Sequence, residues 1–173
     1  MFALVLGLVI AAVQPVTADV DPNSVFGGQI LLSTKRFPQS SKSASAYVAS
    51  VRKQAQDTFI EDKTNHTWKI YFTGFLKSPL NDVEYLVKVY DISGKGQQLL
   101  VSFDQYTDTR GEKTISSYMT LDKKQVGVNK QCLITMESKG HVMASAKFKI
   151  LGEGEHYTGK VDFGSGDDND DSN

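Results

Sequence analysis

The feature that most narrows what this chain can fold into is an apolar alternation with a period of two, repeated in block after block. Trp68, Ile70, Phe72 and Leu76 share one phase, as do Val83, Tyr85, Val87 and Val89, and then Leu99, Val101 and Phe103. The pattern continues through Ile115, Met119 and Leu121, through Cys132, Ile134 and Met136, and through Val142, Ala144, Ala146, Phe148 and Ile150. Successive side chains of an extended strand point to opposite faces, so each block buries one face and leaves the other toward solvent. With residues 29–32 as a first strand, the alternation predicts seven.

Turn-forming residues separate the blocks: Ser78-Pro79-Leu80-Asn81-Asp82, Ser93-Gly94-Lys95-Gly96, residues 107–112, residues 127–130 and Lys139-Gly140. The last is short enough for a two-residue hairpin. Seven short strands without helical crossovers predict a mainly β fold, a seven-stranded antiparallel β-sandwich, immunoglobulin-like in size but lacking its paired cysteines. A closed barrel is the alternative topology. One segment departs from the alternation. Ala44, Val48, Val51 and Ala55 recur at helical spacing, Ser43 is placed to cap them, and Arg52, Lys53, Gln54 and Gln56 fill the opposite face. An inserted α-helix is expected over about Ala44 to Ala55.

The ends carry a different kind of information. Residues 1–18 contain no charged side chain and include an unbroken apolar run over residues 2–13, broken by Pro15 and followed by Val16-Thr17-Ala18. That run is short of the roughly 20 residues a spanning helix needs, and small residues at alternate positions suit a signal peptidase. A signal peptide cleaved after Ala18 is therefore expected, and with it a periplasmic or secreted location and no membrane span after cleavage. The missing Lys or Arg near the N-terminus leaves open a start further upstream.

Removing eighteen of 173 residues leaves 155, enough for one domain with a core of its own. The domain is expected over residues 19–163, followed by an acidic tail, residues 164–173, with no apolar side chain and hence no means of packing. The chain holds 19 basic and 20 acidic groups. Setting aside Asp167, Asp168, Asp170 and Asp171 of the tail leaves sixteen acids against nineteen bases, a balance of +3 too mild to argue for nucleic acid. Asp167, Asn169 and Asp171 imitate the first ligands of a calcium loop, but Ser172 stands where glycine is required.

Catalytic patterns are not found. Cys132, the lone cysteine, cannot form an intramolecular disulfide and falls on the buried phase of its strand, where it serves as a small hydrophobe. His66, His141 and His156 are scattered, and the adjacent Glu155 and His156 would point to opposite faces of a strand, a poor arrangement for shared metal ligation. Neither a phosphate loop nor a nucleophile elbow is present, and no residue set calls for a cofactor or a metal. Asn65-His66-Thr67 matches a glycosylation acceptor.

The best functional clue lies on the off-core phase, where Tyr71, Phe75, Tyr90, Tyr106 and Tyr118 stand. Aromatic side chains on a sheet face can form a platform for sugar rings or for a protein partner, because they offer large contact area at low entropic cost. The competing expectation is that the inserted helix covers part of this face and that cross-strand aromatic pairs stabilise the rest.

The stretches at residues 28–38 (GQILLSTKRFP), Gln131-Cys132-Leu133-Ile134 and residues 147–154 (KFKILGEG) resemble uncharacterised exported proteins of myxobacteria and their relatives. The resemblance spans most of the domain and implies a bacterial envelope setting, in which the glycosylation acceptor has no role. It implies no activity. The expected function is a non-catalytic exported binding or structural module of the bacterial envelope, with an unknown protein or glycan partner. A hydrolase of envelope or extracellular polymer, with Glu153, Glu155, His156 and Asp162 collected in a pocket, and a subunit of an envelope assembly are the alternatives.

Overall fold

The structure is a computed structural model and describes residues 20–152. The expected signal peptide, the acidic tail and the four residues named for a hydrolase lie outside the described residues.

The alternation becomes strands where it was read. β1 (Gln29–Ser33), β2 (Thr58–Ile60), β3 (Thr67–Phe75), β4 (Glu84–Asp91), β5 (Gln98–Tyr106), β6 (Thr114–Asp122), β7 (Lys130–Ser138) and β8 (His141–Leu151) form a mainly β domain, with three helices, α1 (Pro22–Phe26), α2 (Ala44–Gln54) and α3 (Lys123–Val126). Inside, Trp68, Ile70 and Phe72 of β3 meet Val87 and Val89 of β4, Cys132 and Ile134 of β7, and Phe148 and Ile150 of β8 in one apolar cluster. Trp68, too large to bury without a partner for its N–H, donates from Nε1 to the Leu151 carbonyl at 3.1 Å.

Three features differ from the sequence expectation. Among the described residues there are eight strands rather than seven, the hydrogen bonding runs through one continuous sheet, and that sheet is mixed. The order is β5-β4-β7-β8-β1-β3-β6, with β2 also on β8. β1 and β2 both lie parallel to β8, Gln29 beside Ser145 and Thr58 beside Lys149, while every other pairing is antiparallel. The physical reason is the helix. The chain leaves the flank of β8 after β1, makes α2 on the outside of the sheet, and rejoins the same flank further along as β2. Three residues are too few for a periodicity to show, so β2 is invisible in the sequence.

The sheet curls until strands far apart in its order face each other. Gly74 of β3 sits at one close approach, where an added Cβ would stand 2.7 Å from Cε of Met136 on β7. At the two ends of the sheet, Ser117 of β6 donates to Gln105 Oε1 of β5 at 2.9 Å.

Two expected core positions are outside. Leu99 is 51% and Val142 58% exposed. In each case a bulge resets the phase: the β4–β5 register shifts between Val89 and Tyr90, and the β7–β8 register shifts between Met136 and Glu137. One inserted residue per strand turns the following side chains to the other face. Leu100 and Met143 pack against the core instead. The two-residue hairpin at Lys139-Gly140 is present, with φ of 50° and 80°. Positive φ at both central residues is the geometry that matches the strand twist, and glycine supplies one of them without strain.

α2 begins and ends close to where its spacing placed it. Ser43 Oγ accepts from the Ala46 N–H at 3.2 Å, and Ala55 is the C-terminal cap. Val48 and Val51 join Phe26, Phe37 and Phe75 in a second apolar cluster on the outer side of β1 and β3. This cover is why β3 abandons alternation after Phe72 and buries Thr73, Gly74 and Phe75 in succession.

Candidate functional site

Each aromatic residue of the off-core phase has a definite place. Phe75 is fully buried beneath α1 and α2, its ring centroid 4.9 Å from that of Phe26, so it offers no surface. The off-core phase of β3 is thus two-part: a covered end at Phe75 and an open end at Tyr71. Tyr90 lies half-buried on β4, its hydroxyl 3.4 Å from Glu137 Oε1. Tyr106 is 68% exposed at the end of β5, and no ring contact links it to the others. Tyr71 and Tyr118 come together.

The register that pairs β3 with β6 sets these two tyrosines directly opposite each other, with Lys69 across from Thr120 and Thr73 across from Ser116. The rings are 5.9 Å apart and inclined at 45°. Lys69 Nζ stands 5.5 Å from the Tyr71 centroid and 5.1 Å from that of Tyr118, within reach of a cation–π attraction to both. Below them Thr73 and Ser116 satisfy each other at 2.8 Å.

The connector between β1 and α2 forms the second wall. Gln54, at the end of α2, donates from Nε2 to the carbonyls of Lys35 and Arg36 at 2.8 and 2.9 Å and to Ser33 Oγ at 3.3 Å. Phe37 inserts into the cluster under α2. With the connector pinned on both sides of its turn, Arg36 and Gln39 line a cavity of about 150 Å³ shared with Tyr71, Ser116 and Tyr118. Among the described residues, the Arg36 guanidinium, the Gln39 amide and the hydroxyls of Tyr71 and Tyr118 make no hydrogen bond or ion pair with the protein. Among the described residues no carboxylate lines the cavity. A volume of that size holds about five waters and falls below the roughly 300 Å³ at which drug-sized pockets begin.

The other half of the outer surface is organised in the opposite way. Glu137 of β7, 7% exposed, accepts from Lys88 Nζ at 2.6 Å, from Thr135 Oγ1 at 2.8 Å and from Tyr90. Burial pushes its carboxyl upward, but the hydrogen bonds from Lys88, Thr135 and Tyr90 outweigh that and hold it below the ordinary range. A third polar cluster closes one end of the domain, where buried Glu61 is clamped by His66 Nδ1 at 2.7 Å and by Lys123 Nζ at 3.1 Å. Its partners tie β2 to the start of β3 and to α3, a structural role.

Cys132 is fully buried, and burial, with Asp91 adding to it against Lys130, pushes its thiol up to about 12. A thiol raised that far is a poor nucleophile, since the thiolate is the reactive form. Among the described residues no group of three His, Cys, Asp or Glu side chains could hold a metal ion, and no helix is long and apolar enough to cross a membrane.

Of the site, sequence alone missed Arg36, Gln39 and Lys69. Lys69 had a signal, since it shares the phase of Tyr71 two residues earlier. Arg36 and Gln39 had none, because only the Gln54 contacts bring the connector back over the sheet. No family model matches the chain, and neither a curated protein nor a solved structure matches it.

Proposed function

We propose that the domain is a non-catalytic exported binding or structural module of the bacterial envelope, and that it holds its partner at the Tyr71–Tyr118 face. The observation that carries this reading is the set of polar tips around that pair, Arg36, Gln39 and the two tyrosine hydroxyls, which have no partner among the described residues, whereas on β4 and β7 Lys88 and Thr135 are bonded to Glu137. Donors kept free beside exposed rings are what a ligand would complete. The envelope setting rests on reading the uncharged, apolar first eighteen residues as an export signal and on the resemblance proposed for residues 28–38, 131–134 and 147–154. In this reading the curled sheet acts as a β-sandwich of immunoglobulin size, its two halves closing over one core, and a rigid scaffold presents the site through its register and one pinned connector.

Affinity capture from native envelope fractions tests it, with the mature domain set against a Tyr71→Ser/Tyr118→Ser double variant. Loss of the captured material in the variant is the expected outcome. Equal capture by both proteins would move the site elsewhere.

A further inference from the structure

The face has a charge as well as a shape. Arg36 in the cavity wall and Lys69 over the two rings are both cationic, and among the described residues the cavity is lined without a single Asp or Glu. In a domain whose net charge is close to balanced, that local exclusion of acids is a feature of the site. Lys88 and Lys130 are each spent on a carboxylate at 2.6 Å, Glu137 and Asp91 respectively, whereas Arg36 has no acidic partner.

We propose that the cavity receives a carboxylated sugar unit of an acidic polysaccharide, its ring against Tyr71 and Tyr118 and its carboxylate against Arg36. This rests on the reading of the Tyr71–Tyr118 face as the binding site and adds the ligand's chemistry. Three properties of the site select that class. The planar fork of a guanidinium matches a carboxylate through two parallel hydrogen bonds, and Lys69 over the tyrosine pair adds a second positive charge to the face. The tilted tyrosine pair offers aromatic faces to the C–H surface of a pyranose while its hydroxyls, with Gln39, reach the sugar's own hydroxyls. The cavity's size, about 150 Å³, suits a single sugar unit rather than a larger ligand.

Calorimetric titration of the full-length chain tests the proposal. The probes are oligogalacturonate, the same oligomer as its methyl ester, a neutral malto-oligosaccharide and poly-glutamate. Oligogalacturonate should bind, with its ester at least tenfold weaker. Arg36→Gln should remove most of that tenfold preference, weakening the acid far more than the ester. Tyr118→Ala should weaken acid and ester alike by tenfold or more, and Tyr118→Phe, which keeps the ring, should retain most of the affinity. Thermal unfolding of each variant separates lost binding from lost structure.

Equal binding of acid and ester, with Tyr118→Ala still weakening both, would overturn the carboxylate and leave the binding face standing. Poly-glutamate binding as tightly as the sugar would overturn the glycan in favour of an acidic peptide. An absence of binding to any probe would overturn the ligand class, and the site itself is judged separately by the capture experiment with the double tyrosine variant.

Discussion

The outer surface of the sheet has two halves that treat their polar groups in opposite ways. On the β4–β7 side, Lys88, Tyr90 and Thr135 converge on Glu137, and the cluster is complete within the protein. On the β3–β6 side, Tyr71 and Tyr118 meet under Lys69 beside Arg36 and Gln39, and the polar tips are left without partners. A buried charge is costly unless it is paired, so the first half reads as architecture. Exposed donors remain solvated in the folded chain at little cost, so the second is free to serve a ligand. The covered end of β3 at Phe75 lies on the architectural side of this division although the sequence gives it the same phase as Tyr71.

Substitutions should divide the same way. The largest loss of stability is expected for Phe75→Ala, about 3–5 kcal/mol in chemical denaturation, since the ring is fully buried between Phe26 and the helix. A loss below about 1 kcal/mol would mean that α2 does not cover this position in solution. Glu137→Ala should cost about 1–3 kcal/mol, because Thr135 and Lys88 lose their shared acceptor in a largely buried place.

The next effect is one of pH. The Lys130 ammonium, joined by the Ser93 backbone N–H, holds the Asp91 carboxyl down at about 2, below its ordinary 3.8. An acid depressed in the folded state contributes stability that is present above its unfolded value and is lost as the pH falls through the folded one. Unfolding measured against pH should therefore show wild type losing stability between about 3.8 and about 2, and Asp91→Asn should lose less across that window. Identical profiles would remove the Asp91–Lys130 pair from the account. The smallest change is expected for Tyr118→Ala, below about 1 kcal/mol, made up of an exposed ring contact and one cation–π attraction. A loss as large as that of Phe75→Ala would make the tyrosine pair a structural element.

How much of this was legible before the structure differs by region. The inward phases of β3, β4 and β7, the cap at Ser43 and the turn at Lys139-Gly140 all follow from local rules, and they are found where those rules put them. Leu99 and Val142 were misplaced because a bulge is decided by the neighbouring strand, and a strand's own residues do not record it. The parallel pairing of β1 and β2 with β8 was hidden for a related reason: it depends on where a helical excursion returns. At the site, the tyrosines could be named from their phase. Only the β3–β6 register could say that Tyr71 and Tyr118 meet, and only Gln54 that Arg36 joins them.

Amide chemical-shift mapping of the isotopically labelled domain, titrated with oligogalacturonate, tests the division of the two halves most directly. The expected result is a set of shifts at Arg36, Gln39, Lys69, Tyr71, Ser116 and Tyr118, with Leu86, Lys88, Leu133 and Thr135 unmoved. Shifts centred on the β4–β7 half, or spread evenly over both, would contradict it.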